Sequence, residues 1–171
     1  MVLKFRPTFK QHILLLIPFL SINTILFIGY ISLFGREKID AILIIMSLFF
    51  LMVNFFPVVL LHIQYSIINS SAILTIDTIR KTISYKKGDK IFEYNFSDIQ
   101  NLKYYATSGH ISTKGSSERY TFDGYRYYKI VMNDNNEIII TCLMINNIDN
   151  KLEQMLGREA ERRFRAIPLV Y

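Results

Sequence analysis

Apolar residues are distributed very unevenly along this chain. From Ile13 to Phe34 the sequence reads ILLLIPFLSINTILFIGYISLF, and from Ala41 to Leu61 it reads AILIIMSLFFLMVNFFPVVLL. Neither run contains an ionisable group. A helix over the first would be roughly 33 Å long, close to the roughly 30 Å of a bilayer's hydrocarbon core. Between them lies Gly35–Asp40, GREKID, with four charged residues. This pattern predicts two antiparallel transmembrane helices joined by a tight turn. A secretory leader would have a shorter apolar region ending in a small-x-small site, and Phe34-Gly35-Arg36 offers none.

Beyond Gln64 the pattern changes to short alternating runs separated by turn formers. AILTID (72–77), IRKTISY (79–85), KIFEYNF (90–96) and SDIQNLKYYA (97–106) read as strands. DGYRYYKIVM (123–132) and EIIITCL (137–143) follow, and KKGD (86–89) and NDNN (133–136) are turns. Residues 107–118 are rich in Gly, Ser and Thr and read as a loose loop. The period then becomes helical in NNIDNKLEQML (146–156), which places Ile148, Leu152, Met155 and Leu156 on one face. Asn146 can cap this helix, and Gly157 can end it. REAERRFRAIPLVY continues as helix or tail until Pro168 stops it.

The predicted fold class is therefore α+β. A two-helix transmembrane hairpin precedes an antiparallel barrel of six or seven strands, which a C-terminal helix caps. Three regions follow: residues 1–65 as arm and helices, 66–157 as a β-domain, and 158–171 as a basic tail. ILTIDTIRKTISYKKGDKIFEYNFSDIQNLKYY and YYKIVMNDNNEIIITCLMINNIDNKLEQML resemble the bacterial pleckstrin-homology-like barrel, with Phe96-Ser97-Asp98-Ile99 as its Ser-Asp-Ile step. The paired helices ahead of it look like the YcxB-like group of bacterial membrane proteins. The resemblance implies a non-enzymatic binding or scaffold module at the cytoplasmic face of a membrane. The tryptophan usual in such strands is absent.

Charge adds an orientation. The chain carries 20 Lys and Arg against 14 Asp and Glu. Lys4, Arg6 and Lys10 precede the first apolar run, and Arg80, Lys81, Lys86 and Lys87 soon follow the second. Positive residues favour the cytoplasmic side, which places both termini there in a two-span protein of the cell membrane. A basic balance also suits nucleic acid. RYYK (126–129) mixes bases with aromatics, but sheet propensity accounts for it and no nucleic-acid partner is expected. The one cysteine, Cys142, excludes an intramolecular disulfide.

Candidate chemistry is sparse. There is no Ser/His/Asp set, Walker loop or nucleophile elbow, and Gly109 and Gly115 make no phosphate loop. The three histidines share no metal-ligand spacing. His12 and His62 are read as ordinary interfacial residues, Cys142 as core, and Asp98 as a turn residue. Accordingly no catalytic residue, metal or cofactor is expected. Two basic clusters are candidates for anionic lipid heads or a partner protein. They are Arg80, Lys81, Lys86, Lys87 and Lys90 around the first hairpin, and Arg158, Arg162, Arg163 and Arg165 near the C-terminus, where Phe164 could insert. In each case the plainer reading is a solvated, charge-protected surface. Ser21, Asn23 and Asn54 could form a polar layer between the helices. That layer supports a second reading, a membrane subunit or immunity component of a transport or secretion system. Ligand and oligomeric state stay open.

Overall fold

The computed structural model describes residues 1–34, 41–107, 122–145 and 148–170. Strand β1 (Val2–Phe5) leads into helix α1 (Phe9–Phe34), and helix α2 (Ala41–Asn69) leads into β2 (Ala72–Asp77). Strands β3 (Thr82–Lys87), β4 (Lys90–Asn95), β5 (Ile99–Ala106), β6 (Tyr127–Met132) and β7 (Glu137–Thr141) follow. Helix α3 (Ile148–Leu156) and strand β8 (Glu161–Phe164) complete the order. The charged turn Gly35–Asp40, the capping residue Asn146 and the loop residues 108–121 lie outside the described residues.

The strands form two four-stranded sheets, ordered β1-β2-β3-β4 and β7-β6-β5-β8. The expected closed barrel is thereby corrected. β8 pairs parallel to β5 and makes the second sheet mixed, while the pairings of the first sheet are all antiparallel. Turn chemistry fixes the connections. Gly88 takes φ +59° between β3 and β4, and Asn135 takes φ +64° between β6 and β7. Glycine, with no Cβ, adopts that conformation freely, and asparagine, with its short polar side chain, more readily than other residues. Gly157, at φ +63°, ends α3 as expected.

The expectation of two membrane spans, and of a multi-pass membrane location, is also corrected. Among the described residues no helix is long and apolar enough to cross a membrane. An apolar run of span length is ambiguous, because a helix packed on protein needs the same residue types. Part of this one is used in that way. Val58, Leu61 and Tyr65 of α2 are fully buried, and Phe19 of α1 belongs to the same core. They are continuous with Leu74, Ile76 and Ile83 from the first sheet and with Tyr104, Tyr128, Ile130 and Ile140 from the second. From α3, Ile148 and Leu152 are fully buried and Leu156 nearly so, with Met155 packed beside them. The 58–61–65–69 spacing on α2 is one helical face, so the helix continues past Leu61 to dock on the sheets.

Polar contacts lock that docking. The Tyr65 hydroxyl donates to the Pro168 carbonyl at 2.8 Å. Gln64 clamps Val170 from both sides: its Nε2 donates to the Val170 carbonyl at 2.8 Å, and its Oε1 accepts from the Val170 N–H at 3.1 Å. Gln11 of α1 donates to the Met144 carbonyl at 3.2 Å. The C-terminal segment thus acts as a strap across α2.

Candidate functional site

The first hairpin cluster divides in two. Arg80 and Lys81 lie in the turn between β2 and β3, whereas Lys86, Lys87 and Lys90 flank the turn between β3 and β4. Five residue steps of extended chain lead from Lys81 to Lys86, about 17 Å at the rise of a strand. All five side chains are exposed, but their electrostatic settings differ.

At the Arg80 end the charges are answered locally. Asp77 accepts from the backbone N–H groups of Ile79 at 3.0 Å and Arg80 at 3.2 Å. The Arg80 guanidinium and the N-terminal ammonium approach it at 3.9 and 3.8 Å. The Arg80 backbone N–H, foremost among these, holds the Asp77 carboxyl below its ordinary range.

At the opposite end no such answer occurs among the described residues. Lys87 stands directly opposite Lys90 in the ladder, with only Gly88 and Asp89 between them. Like charges facing each other across a strand pair destabilise it. Among the described residues neither ammonium, nor that of Lys86, has a carboxylate partner. Arg6 follows β1 at this same end, and exposed Lys10 lies in the first turns of α1. Lys151 of α3 sits over the Phe5 ring, 5.6 Å from its centroid.

Register shows where this end leads. Phe5 pairs with Leu74 and Ala72 pairs with Lys87, so β1 ends and β2 begins beside the lysines. Helix α1 leaves from the end of β1, and α2 arrives at the start of β2. Both apolar helices are therefore rooted at the lysine end. Ile13, Leu14, Ile17 and Leu20 of α1 are exposed, as are Phe49, Met52, Phe55 and Phe56 of α2.

The C-terminal arginines have other occupations. Arg158 donates to the Ile99 carbonyl at 2.5 Å. Arg162 pairs with Glu153 at 2.7 Å and stacks 4.6 Å above the Tyr104 ring. Arg163 pairs with Glu161. Arg165 stacks 4.6 Å above Tyr105 and donates to the Leu169 carbonyl at 2.7 Å. Phe164 is exposed on β8. Of the proposed interhelical layer, the Ser21 hydroxyl donates back to Ile17 of its own helix at 2.8 Å. The side chains of Asn23 and Asn54 lie outside the described residues.

Sequence spacing concealed one polar chain. His12 Nδ1 lies 3.0 Å from His62 Nε2, and His62 Nδ1 lies 2.9 Å from the Tyr125 hydroxyl. It links α1, α2 and the β-domain across fifty and sixty-three residues of sequence. Burial, followed by the neighbouring His12, holds the His62 imidazole below its ordinary range. Burial likewise raises the Tyr125 phenol. Two histidines do not make a closed metal site, and no group of three metal-ligating side chains occurs among the described residues. Cys142 is a buried cysteine directly after β7. Asp98 caps the turn before β5 by accepting from the Asn95 N–H at 2.8 Å.

A family model for the PH domain matches residues 4–152, most of the chain. The chain belongs to the PH domain family, whose members are in general non-catalytic modules that bind lipids or proteins. The match starts in β1 and ends in α3, so both long helices lie inside it. Neither the curated proteins nor the solved structures give a match.

Proposed function

We propose that this PH domain binds anionic lipid head groups through the β3–β4 end of its first sheet. Lys86, Lys87 and Lys90 would meet the phosphates, with Arg6 and Lys10 beside them. The carrying observation is that the unanswered lysines share one sheet end with the roots of two apolar helices. A lipid head group offers both complements, an anion and adjoining hydrocarbon. Each nearby cation contributes about 1 kcal/mol at an anionic lipid surface. An anion between Lys87 and Lys90 would also relieve their mutual repulsion.

The test is flotation of the full chain with vesicles of phosphatidylcholine alone and with one third phosphatidylglycerol. Binding should be much stronger to the anionic vesicles and should fall steeply with salt. Lys86→Gln, Lys87→Gln and Lys90→Gln together should remove most of the anionic preference. Equal binding to both vesicle types, or full preference in the triple variant, overturns the proposal.

A further inference from the structure

We infer that the outer edge of β5 is a second binding site, for an extended arginine-bearing peptide, which the chain's own residues 161–170 occupy in cis. Several features of the occupied edge describe such a site. β8 has four residues, all exposed, and makes a parallel pairing with β5 from Lys103↔Glu161 to Ala106↔Phe164. β8 itself contributes no buried side chain; the apolar anchoring of the segment lies beyond it, at buried Pro168 and at Ile167, Leu169 and Val170, which pack on the core. Three residues, Arg158–Ala160, connect it to Gly157 at the end of α3.

The edge, with α2 beside it, recognises the segment of residues 161–170 in two ways. Its backbone is read without regard to sequence: Ala106 accepts from the Arg165 N–H at 3.1 Å, and Tyr65, Tyr127 and Gln64 hold the carbonyls of Pro168, Leu169 and Val170. Its side chains are read at two positions three residues apart. Arg162 lies on Tyr104 with Glu153 and Asn150 at its guanidinium, and Arg165 lies on Tyr105. A planar guanidinium suits an aromatic face and a carboxylate at once, whereas an ammonium suits that pair less well. The occupant specified is an extended segment with Arg, two residues, Arg, then an apolar stretch. A segment of that chemistry on another polypeptide would compete with the tail for the same contacts. The tether sets the tail's effective concentration in the millimolar range, so the cis occupant limits access to tight or abundant competitors.

The experiment uses the full chain and a fluorescent peptide of residues 158–170, read by anisotropy. Arg162→Ala with Arg165→Ala in the full chain weakens the cis occupant, and this variant should bind the peptide at least tenfold more tightly than the unaltered chain. A peptide carrying the same two substitutions should bind it at least tenfold more weakly. Equal affinity of both chains for the peptide, or no binding to either, overturns the inference. Hydrogen exchange of the unaltered chain decides the matter should the double variant lose its fold. The Arg165 amide should exchange at least tenfold faster than the Ile130 amide within β6. Equal protection would mean that the edge never opens, and the inference falls.

Discussion

Replacing Tyr65 by Phe isolates one hydroxyl in the strap that ties the C-terminus to α2. Tyr65 is fully buried, and its ring meets Tyr125 edge-on at 5.6 Å and Tyr127 at 6.1 Å. The Phe ring keeps those contacts and the buried area. What is lost is the 2.8 Å bond to the Pro168 carbonyl. Pro168 is itself buried, so its carbonyl is left unpaired. A lost partner of that kind costs about 1–3 kcal/mol. In a chain of this size each kcal/mol moves the melting midpoint by about 2–4 °C, so a drop of about 2–12 °C is expected. Tyr127→Phe is the internal control. The Tyr127 hydroxyl reaches the Leu169 carbonyl at 3.2 Å, but Arg165 holds that same oxygen at 2.7 Å. The acceptor stays satisfied, and the cost should be smaller. Thermal and urea melts of the full chain by circular dichroism measure both. If Tyr65→Phe costs nothing, or no more than Tyr127→Phe, the strap does not hold α2 as described.

Further outcomes follow from the same contacts. Lys90→Glu should raise stability by about 0.2–1 kcal/mol, because a repelling cross-strand pair becomes an attracting one, while binding to anionic vesicles falls; urea midpoints and flotation read the two together. The His62 imidazole is held below its ordinary value, so the folded state favours its neutral form. Its contribution to stability is complete above about pH 6.5, and is lost as pH falls through the lower folded value; urea midpoints between pH 7.5 and 5 should decline, with a shallower decline in His62→Asn. Leu152→Ala empties a fully buried position on α3 and should cost about 2–5 kcal/mol, measured in the same urea titration.

Much of the β-domain was legible because its signals are local. AILTID alternates and is β2 to the residue, Gly88 and the NDNN turn take the conformations their chemistry favours, and Ile148, Leu152 and Leu156 share a buried helical face. The two outermost strands were not legible. VLKF is four residues long and pairs with Asp77 through Leu74, far along the chain, and its lysine reads as part of a basic arm. ERRF has no alternation of burial to betray it, and its strand character comes from β5 and two tyrosine faces. The apolar runs misled for a different reason. Hydropathy measures how greasy a segment is and not what covers it, and Val58, Leu61 and Tyr65 are covered by protein. The basic hairpin cluster was legible as residues but not as a place. Sequence proximity grouped Arg80 with Lys90, whereas strand geometry sets them at opposite ends of a sheet.

That division between the two ends is the claim most open to direct test. Isotope-labelled full chain would be mixed with nanodiscs containing phosphatidylglycerol and a gadolinium-chelating lipid, and amide signals compared with those from a diamagnetic control. The account predicts strong broadening at Lys86–Lys90 and Arg6, with Thr78–Lys81 at the far end of the strands little affected. Broadening centred on Thr78–Lys81, or spread evenly over both ends, would contradict it.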